Sequence, residues 1–297
     1  MFTGLSAFPL TPLTEDGIEE KSLATLVGRL ADAGVDSIGA LGSTGSYAYL
    51  SREERARAVR IAVQNAGSTP VIAGIGALRT RDVLQVAEDA QQAGVAGVLL
   101  APMSYQQLTE DDVFGLFEDV TANLSVPLVV YDNPGTTHFT FTDELYGRVA
   151  ELPHVASIKI PGVPVGHEVA RTRVRALRAV LPGHMTVGVS GDVHGATGLN
   201  AGCEAWYSVL AGTFPQAALT IARAAQSGDA DRAREESRRL QPLWDLFARH
   251  GSLRVTAAAA AHLGLTPPHS LPLPLRGLGA KDRTSVATVV DQLGLRP

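Results

Sequence analysis

Lys159 interrupts an otherwise apolar run, Val155-Ala156-Ser157-Ile158-Lys159-Ile160, in which every neighbour reads as buried. A buried ammonium is costly, and a desolvated lysine sheds its proton readily to become an amine nucleophile. The chain holds three lysines, Lys21, Lys159 and Lys281, among its 25 basic residues. Where charge alone is needed it uses arginine, which does not deprotonate. Two readings follow: an amine that attacks a carbonyl, or an interior lysine paired with a carboxylate.

Other segments carry the residue types such chemistry needs. Tyr131 stands immediately before Asp132-Asn133-Pro134, a turn that aims its phenol away from the strand. A carbinolamine must lose water to become an imine, and a phenol that gives and recovers a proton serves that step. A packed aromatic with one hydrogen bond is the plainer reading of Tyr131. Gly42-Ser43-Thr44-Gly45 offers backbone N–H groups and two hydroxyls that suit a carboxylate or phosphate, or it is an ordinary turn. Gly191, within Ser190-Gly191-Asp192, permits close backbone approach to a ligand or makes a turn. Asp192 and His194 are the one pair with metal-ligand character near a strand end. No cysteine cluster or HExxH pattern accompanies them, and no nucleotide-binding glycine fingerprint occurs. The sequence therefore predicts neither a metal nor a nucleotide cofactor.

These residues must be positioned by an alternation of short Val/Ile/Leu-rich runs with segments of helical periodicity, the pattern of parallel strands covered by helices. Eight runs qualify: Thr3 to Phe8, Val35 to Leu41, Pro70 to Ile75, Gly97 to Ala101, Pro127 to Tyr131, Val155 to Ile160, Thr186 to Val189 and Ala205 to Val209. Their spacing through the first seven is about that of one βαβ unit, so the predicted fold is α/β, a closed (β/α)8 TIM barrel. Ser51 with Glu54 and Thr109 with Asp112 have capping-box spacing, and Gly34, Gly94 and Gly202 are placed to end helices. After the eighth run, Phe214 to Gln226, Asp231 to Arg249 and Leu253 to Leu263 read as helices with no strand between them. A Pro-rich connection, Leu265 to Leu275, leads to a last helix near Thr284 to Leu293. The predicted division is a barrel over residues 1–224 and a C-terminal helical extension over 225–297.

At 297 residues, 45% apolar and 19% charged, the chain has enough apolar matter for a large core and too little charge for disorder. A formal charge of −5 and the lack of a dense Lys/Arg stripe argue against nucleic acid. No run approaches the length that spans a bilayer. The start, MFTGLSAFPLTPL, has no signal-peptide character and the single cysteine, Cys203, has no internal partner. A cytoplasmic protein is expected.

In barrels, chemistry sits at the C-terminal strand ends. There the order of Gly42-Ser43-Thr44-Gly45, Tyr131-Asp132-Asn133-Pro134, Ser157-Ile158-Lys159-Ile160 and Ser190-Gly191-Asp192, after an opening Ala7-Phe8-Pro9-Leu10-Thr11-Pro12, resembles the dihydrodipicolinate synthase/N-acetylneuraminate lyase family over nearly the whole chain. The resemblance implies an aldolase-type lyase. Lys159 would form a Schiff base with pyruvate or a related 2-oxo acid, Tyr131 would relay protons, and Ser43 and Thr44 would hold the acid's carboxylate. It also implies that the Tyr207 carbonyl faces the site, that Tyr105 matches a tyrosine reaching a neighbouring subunit, and that the chain forms a homotetramer or dimer. Two positions depart from the pattern. Thr136 stands where members that condense pyruvate with aspartate semialdehyde carry an arginine, and Ser46 where glutamate is common. A threonine cannot replace a guanidinium fork, so the partner is expected to be a different aldehyde or a sugar acid. A 2-oxo acid binding protein without turnover and a metal-dependent lyase using Asp192 and His194 are the rival readings.

Overall fold

The computed structural model describes residues 2–296. Eight parallel strands close into a barrel: Gly4–Ala7, Ser37–Ala40, Val71–Gly74, Gly97–Leu100, Leu128–Tyr131, Val155–Ile160, Thr186–Val189 and Ala205–Ser208. Each lies within a run picked out from the sequence. The first strand closes the ring by pairing with both the eighth, Ser6 opposite Tyr207, and the second, Ser6 opposite Ser37.

Alternation along each strand separates two apolar layers. Leu128, Val130, Ile158 and Ile160 face outward into the large core beneath the helices. Phe8, Ile72, Leu99, Val129, Tyr131 and Tyr207 fill the barrel interior.

The helices start and stop where the sequence signals them. Ser51 and Thr109 both form complete capping boxes, with Glu54 and Asp112, and a cap of this kind stabilises a helix by roughly 0.5 to 2 kcal/mol. Gly34, Gly94 and Gly202 all take positive φ at the helix ends. Helix Pro215–Gln226 packs on the first strand and completes the ring of covering helices.

Beyond it lie four more helices, Ala230–Arg239, Gln241–His250, Ser252–His262 and Ala280–Gln292. The single helix expected over Asp231 to Arg249 is two, broken at Leu240. Pro242 sits in the first turn of the second helix, where its missing N–H costs nothing; inside a continuous helix its ring would strike the carbonyl four residues back. A two-stranded hairpin, Leu13–Thr14 with Gly17–Ile18, was not anticipated. No helix among the described residues is long and apolar enough to cross a membrane.

Candidate active site

The fifth and sixth strands set the centre of the site through one irregularity in their pairing. Leu128 lies opposite Val155, but Val129 lies opposite Ser157, which leaves Ala156 as a surplus residue. A parallel-sheet bulge of this kind re-aims everything after it, because side chains alternate faces with a period of two. Unbulged, Tyr131 would face Ile158. With the bulge its register partner is Lys159, and both side chains point into the barrel. The Asp132 N–H donates to the Lys159 carbonyl at 3.1 Å, continuing the pairing past the strand end.

Lys159 is 4% exposed and makes no ion pair within salt-bridge distance among the described residues. Its Nζ lies 3.8 Å from the centre of the Phe8 ring, 4.1 Å from that of Tyr131 and 5.7 Å from that of Tyr207. Burial pushes its pKa down to about 7, partly opposed by the carboxylate of Asp192. Asp192 is itself pushed up to about 6 by burial, partly opposed by hydrogen bonds and by Lys159. Its two oxygens accept from the Ser208 hydroxyl at 2.8 Å and the Leu210 N–H at 2.9 Å, so Asp192 acts on the amine through space rather than by contact.

Tyr131 is held by Asn133, whose side-chain amide donates to the phenol oxygen at 2.8 Å. Burial raises the phenol well above the ordinary tyrosine range, and hydrogen bonding with Asn133 and Ser43 only partly offsets this. The turn that follows is fixed from below: the Tyr146 hydroxyl donates to Asp132 at 2.5 Å. The short helix Pro134–Thr137 then carries Thr136 to the cavity wall.

The loop that brings Ser43 and Thr44 to the site begins with a strained residue. Leu41 is buried with φ of 56°, a left-handed conformation costing an L-residue roughly 1 to 2 kcal/mol. Its carbonyl presses onto Gly74, where a Cβ would lie 1.9 Å from the oxygen, so the neighbouring strand must offer a glycine for the loop to turn.

These parts converge on one cavity of about 570 Å³ at the barrel mouth. Lys159, Tyr131, Ser43, Thr44, Thr136, Gly191 and Tyr207 all line it. Tyr207 contributes its ring, and its hydroxyl shares a 2.7 Å hydrogen bond with Ser157. Tyr105 is 91% exposed and does not line the cavity. No group of three or more His, Cys, Asp or Glu side chains among the described residues is arranged to hold a metal.

Sequence reasoning missed the far wall. Gln241, Trp244, Asp245, Phe247, Ser252 and Leu253 line the cavity from the two helices on either side of Gly251. Helix Gln241–His250 packs on the turn Asp192–His194, so the extension roofs the barrel mouth. A recurrence of Gln241, Asp245 and Ala248 on one helical face was the only signal, and it reads as a solvated stripe until the helix is placed.

A closed (β/α)8 barrel with its cavity at the strand ends, and the family it matches, make this protein an aldolase-type lyase. The chain belongs to the dihydrodipicolinate synthetase family, whose sequence pattern it matches over residues 1–293. It is 28% identical over 297 residues to the 4-hydroxy-tetrahydrodipicolinate synthase of Neisseria meningitidis serogroup B, covering 99% of each chain. To the enzyme of that name from Methylococcus capsulatus it is 30% identical over 288 residues, covering 96% of each. The crystal structure of a dihydrodipicolinate synthase from Agrobacterium tumefaciens superposes with a TM-score of 0.94 at 42% identity over 98% of each chain.

Proposed function

We propose that the protein is a Schiff-base aldolase that joins pyruvate or a similar 2-oxo acid to an aldehyde, or cleaves the corresponding 4-hydroxy-2-oxo acid. The observation that carries this reading is the setting of Lys159: an amine whose pKa is drawn to about 7, directly opposite Tyr131 and open to the cavity. A group tuned to the working pH is what imine chemistry needs, since the free amine attacks and the protonated product activates.

In the proposed cycle the Lys159 amine adds to the C2 carbonyl. The carbinolamine hydroxyl leaves as water with the proton of Tyr131, giving a protonated imine. Phe8, Tyr131 and Tyr207 present ring faces to the new cation, an arrangement that favours positive charge. Tyr131 then recovers a proton from C3, leaving an enamine. Its C3 attacks the aldehyde carbon while Tyr131 protonates the aldehyde oxygen; water then hydrolyses the protonated imine, releasing the 4-hydroxy-2-oxo acid and free amine as the surplus proton returns to Tyr131. Ser43 and Thr44 hold the carboxylate throughout, through hydroxyls and backbone N–H groups. Holding both reactants in one water-poor cavity supplies the proximity term. No metal or nucleotide enters the cycle. Condensation with aspartate semialdehyde is disfavoured, because Thr136 offers the cavity a hydroxyl rather than a guanidinium.

The working form is proposed to be a cytoplasmic homo-oligomer, tetramer or dimer. Tyr49, Leu78 and Tyr105 stand exposed on the loops after the adjacent second, third and fourth strands and suit contact with a second copy.

Borohydride reduction in the presence of pyruvate, followed by peptide mass measurement, tests the chemistry. A reduced pyruvyl adduct on Lys159, absent in Lys159→Ala, is expected. An unmodified Lys159 at every pH, in an enzyme whose activity a chelator abolishes, overturns it.

A further inference from the structure

A second cavity, of about 540 Å³, lies between the hairpin Leu13–Thr14 and Gly17–Ile18, the helix Ser252–His262 and the Pro-rich connection that follows that helix. It shares no lining residue with the cavity that holds Lys159. Hydrogen bonds tie its pieces together. The Leu13 N–H donates to the Ser270 carbonyl at 3.1 Å and joins the hairpin to the connection. Arg254 donates to the Arg276 carbonyl at 3.0 Å and Arg283 to the Leu278 carbonyl at 3.1 Å, joining the connection to the helices before and after it.

The walls are largely apolar, with Leu13, Ala257, Leu271, Leu275 and Leu278 among them. Against them stand two arginines, Arg276 and Arg283. Elsewhere Arg52, Arg57, Arg173 and Arg223 each close on a carboxylate at 2.6 or 2.7 Å. Neither Arg276 nor Arg283 has a carboxylate partner among the described residues, and the Arg276 guanidinium makes no hydrogen bond there. Glu15, at the hairpin turn, is the single acid of the lining, and His269 adds a ring N–H. Ser270 also lines the cavity. It is 4% exposed, and its Oγ has no hydrogen-bond partner among the described residues, a standing cost to the fold.

We propose that this cavity is an accessory binding site for a small monocarboxylate with an apolar body, its carboxylate held by Arg276 and Arg283 and its chain laid along the leucines. A guanidinium meets a carboxylate through two parallel hydrogen bonds, and a hydrocarbon chain gains by leaving water for the leucine walls. Both arginines are exposed while Leu13 and Leu278 are buried, so the charged end faces water and the chain points inward. An alkylammonium would meet two like charges, and inorganic phosphate would leave the apolar walls unused.

Octanoate is a suitable probe, since at ~30 Å³ per heavy atom it needs about 300 Å³. Its binding to the full-length protein is compared by titration calorimetry with that of octan-1-ol and octylammonium. Octanoate is expected to bind at least about tenfold more tightly than either, the scale of hydrogen bonds to a charged group. Arg276→Ala combined with Arg283→Ala should abolish that advantage. Arg276→Glu, which touches no side-chain bond of the fold, should do so by itself. Lys159→Ala should leave octanoate binding unchanged, because that residue belongs to the other cavity. Equal binding of octanoate and octan-1-ol, tighter binding of octylammonium, or no octanoate binding overturns the site. So does an octanoate affinity that survives Arg276→Glu or is lost in Lys159→Ala.

Discussion

An amine boxed by aromatic rings is pulled two ways, since burial penalises its charge while ring faces favour it. Burial dominates at Lys159, but the residual preference for positive charge matters once the imine forms, because the product cation stays where the rings already face it. The free amine fraction rises as pH climbs through about 7. The rate of pyruvate trapping should therefore increase from pH 6 to 8 and level off above. Asp192 favours the ammonium, so Asp192→Asn should move the midpoint to lower pH. Stopped-time borohydride quenching across pH gives both curves, and an unshifted midpoint in Asp192→Asn would show that its charge does not reach the amine. Lys159 was legible in the sequence because a lone cation in an apolar strand has few explanations. Tyr131, Ser43 and Thr44 were legible through their place at strand ends. Asp192 figured only in the rival metal reading, and its bonds to Ser208 and Leu210 show its oxygens held by the chain. The far wall from Gln241 to Leu253 gains meaning only once its helix is seen to pack on the Asp192–His194 turn.

Among the elements, strands announced themselves more clearly than the helices that follow them. Eight buried runs have no other use in a chain of this length, so the barrel followed from their count. The break at Leu240 was written in Pro242, yet the apolar period continues across it and hides the stop. The seventh strand shows what the barrel interior demands. Gly188 leaves room for Tyr207: a Cβ there would lie 2.2 Å from the ring. Gly188→Ala should force the ring aside, strain the Tyr207–Ser157 bond and destabilise the fold by about 1 to 3 kcal/mol. Thermal unfolding measures the first effect and pyruvate trapping the second. An unchanged melting temperature with full trapping would mean that the ring relaxes freely.

At the scale of the whole molecule, the barrel, its roof and its exposed apolar loops face a common end. Tyr105 is 91%, Leu78 63% and Tyr49 49% exposed, and the proposed homo-oligomer would use these loops for contact between copies. Size-exclusion chromatography with light scattering should give a mass that is a multiple of 31.1 kDa. Tyr105→Asp combined with Leu78→Asp should shift it toward the single-chain value. A single-chain mass in the unaltered protein would show instead that these residues are free.

The surplus residue Ala156 also makes the sixth strand a place where length, rather than composition, carries information. Fold and chemistry are inherited through different channels there. Substitutions anywhere along the strand leave the phase between Tyr131 and the amine intact, but gain of a single codon ahead of Lys159, with the one-residue bulge kept, would bring Ile158 into step with Tyr131. Such a descendant would remain almost identical to its ancestor by any count of matched residues, keep its barrel, and have its amine turned away from the cavity.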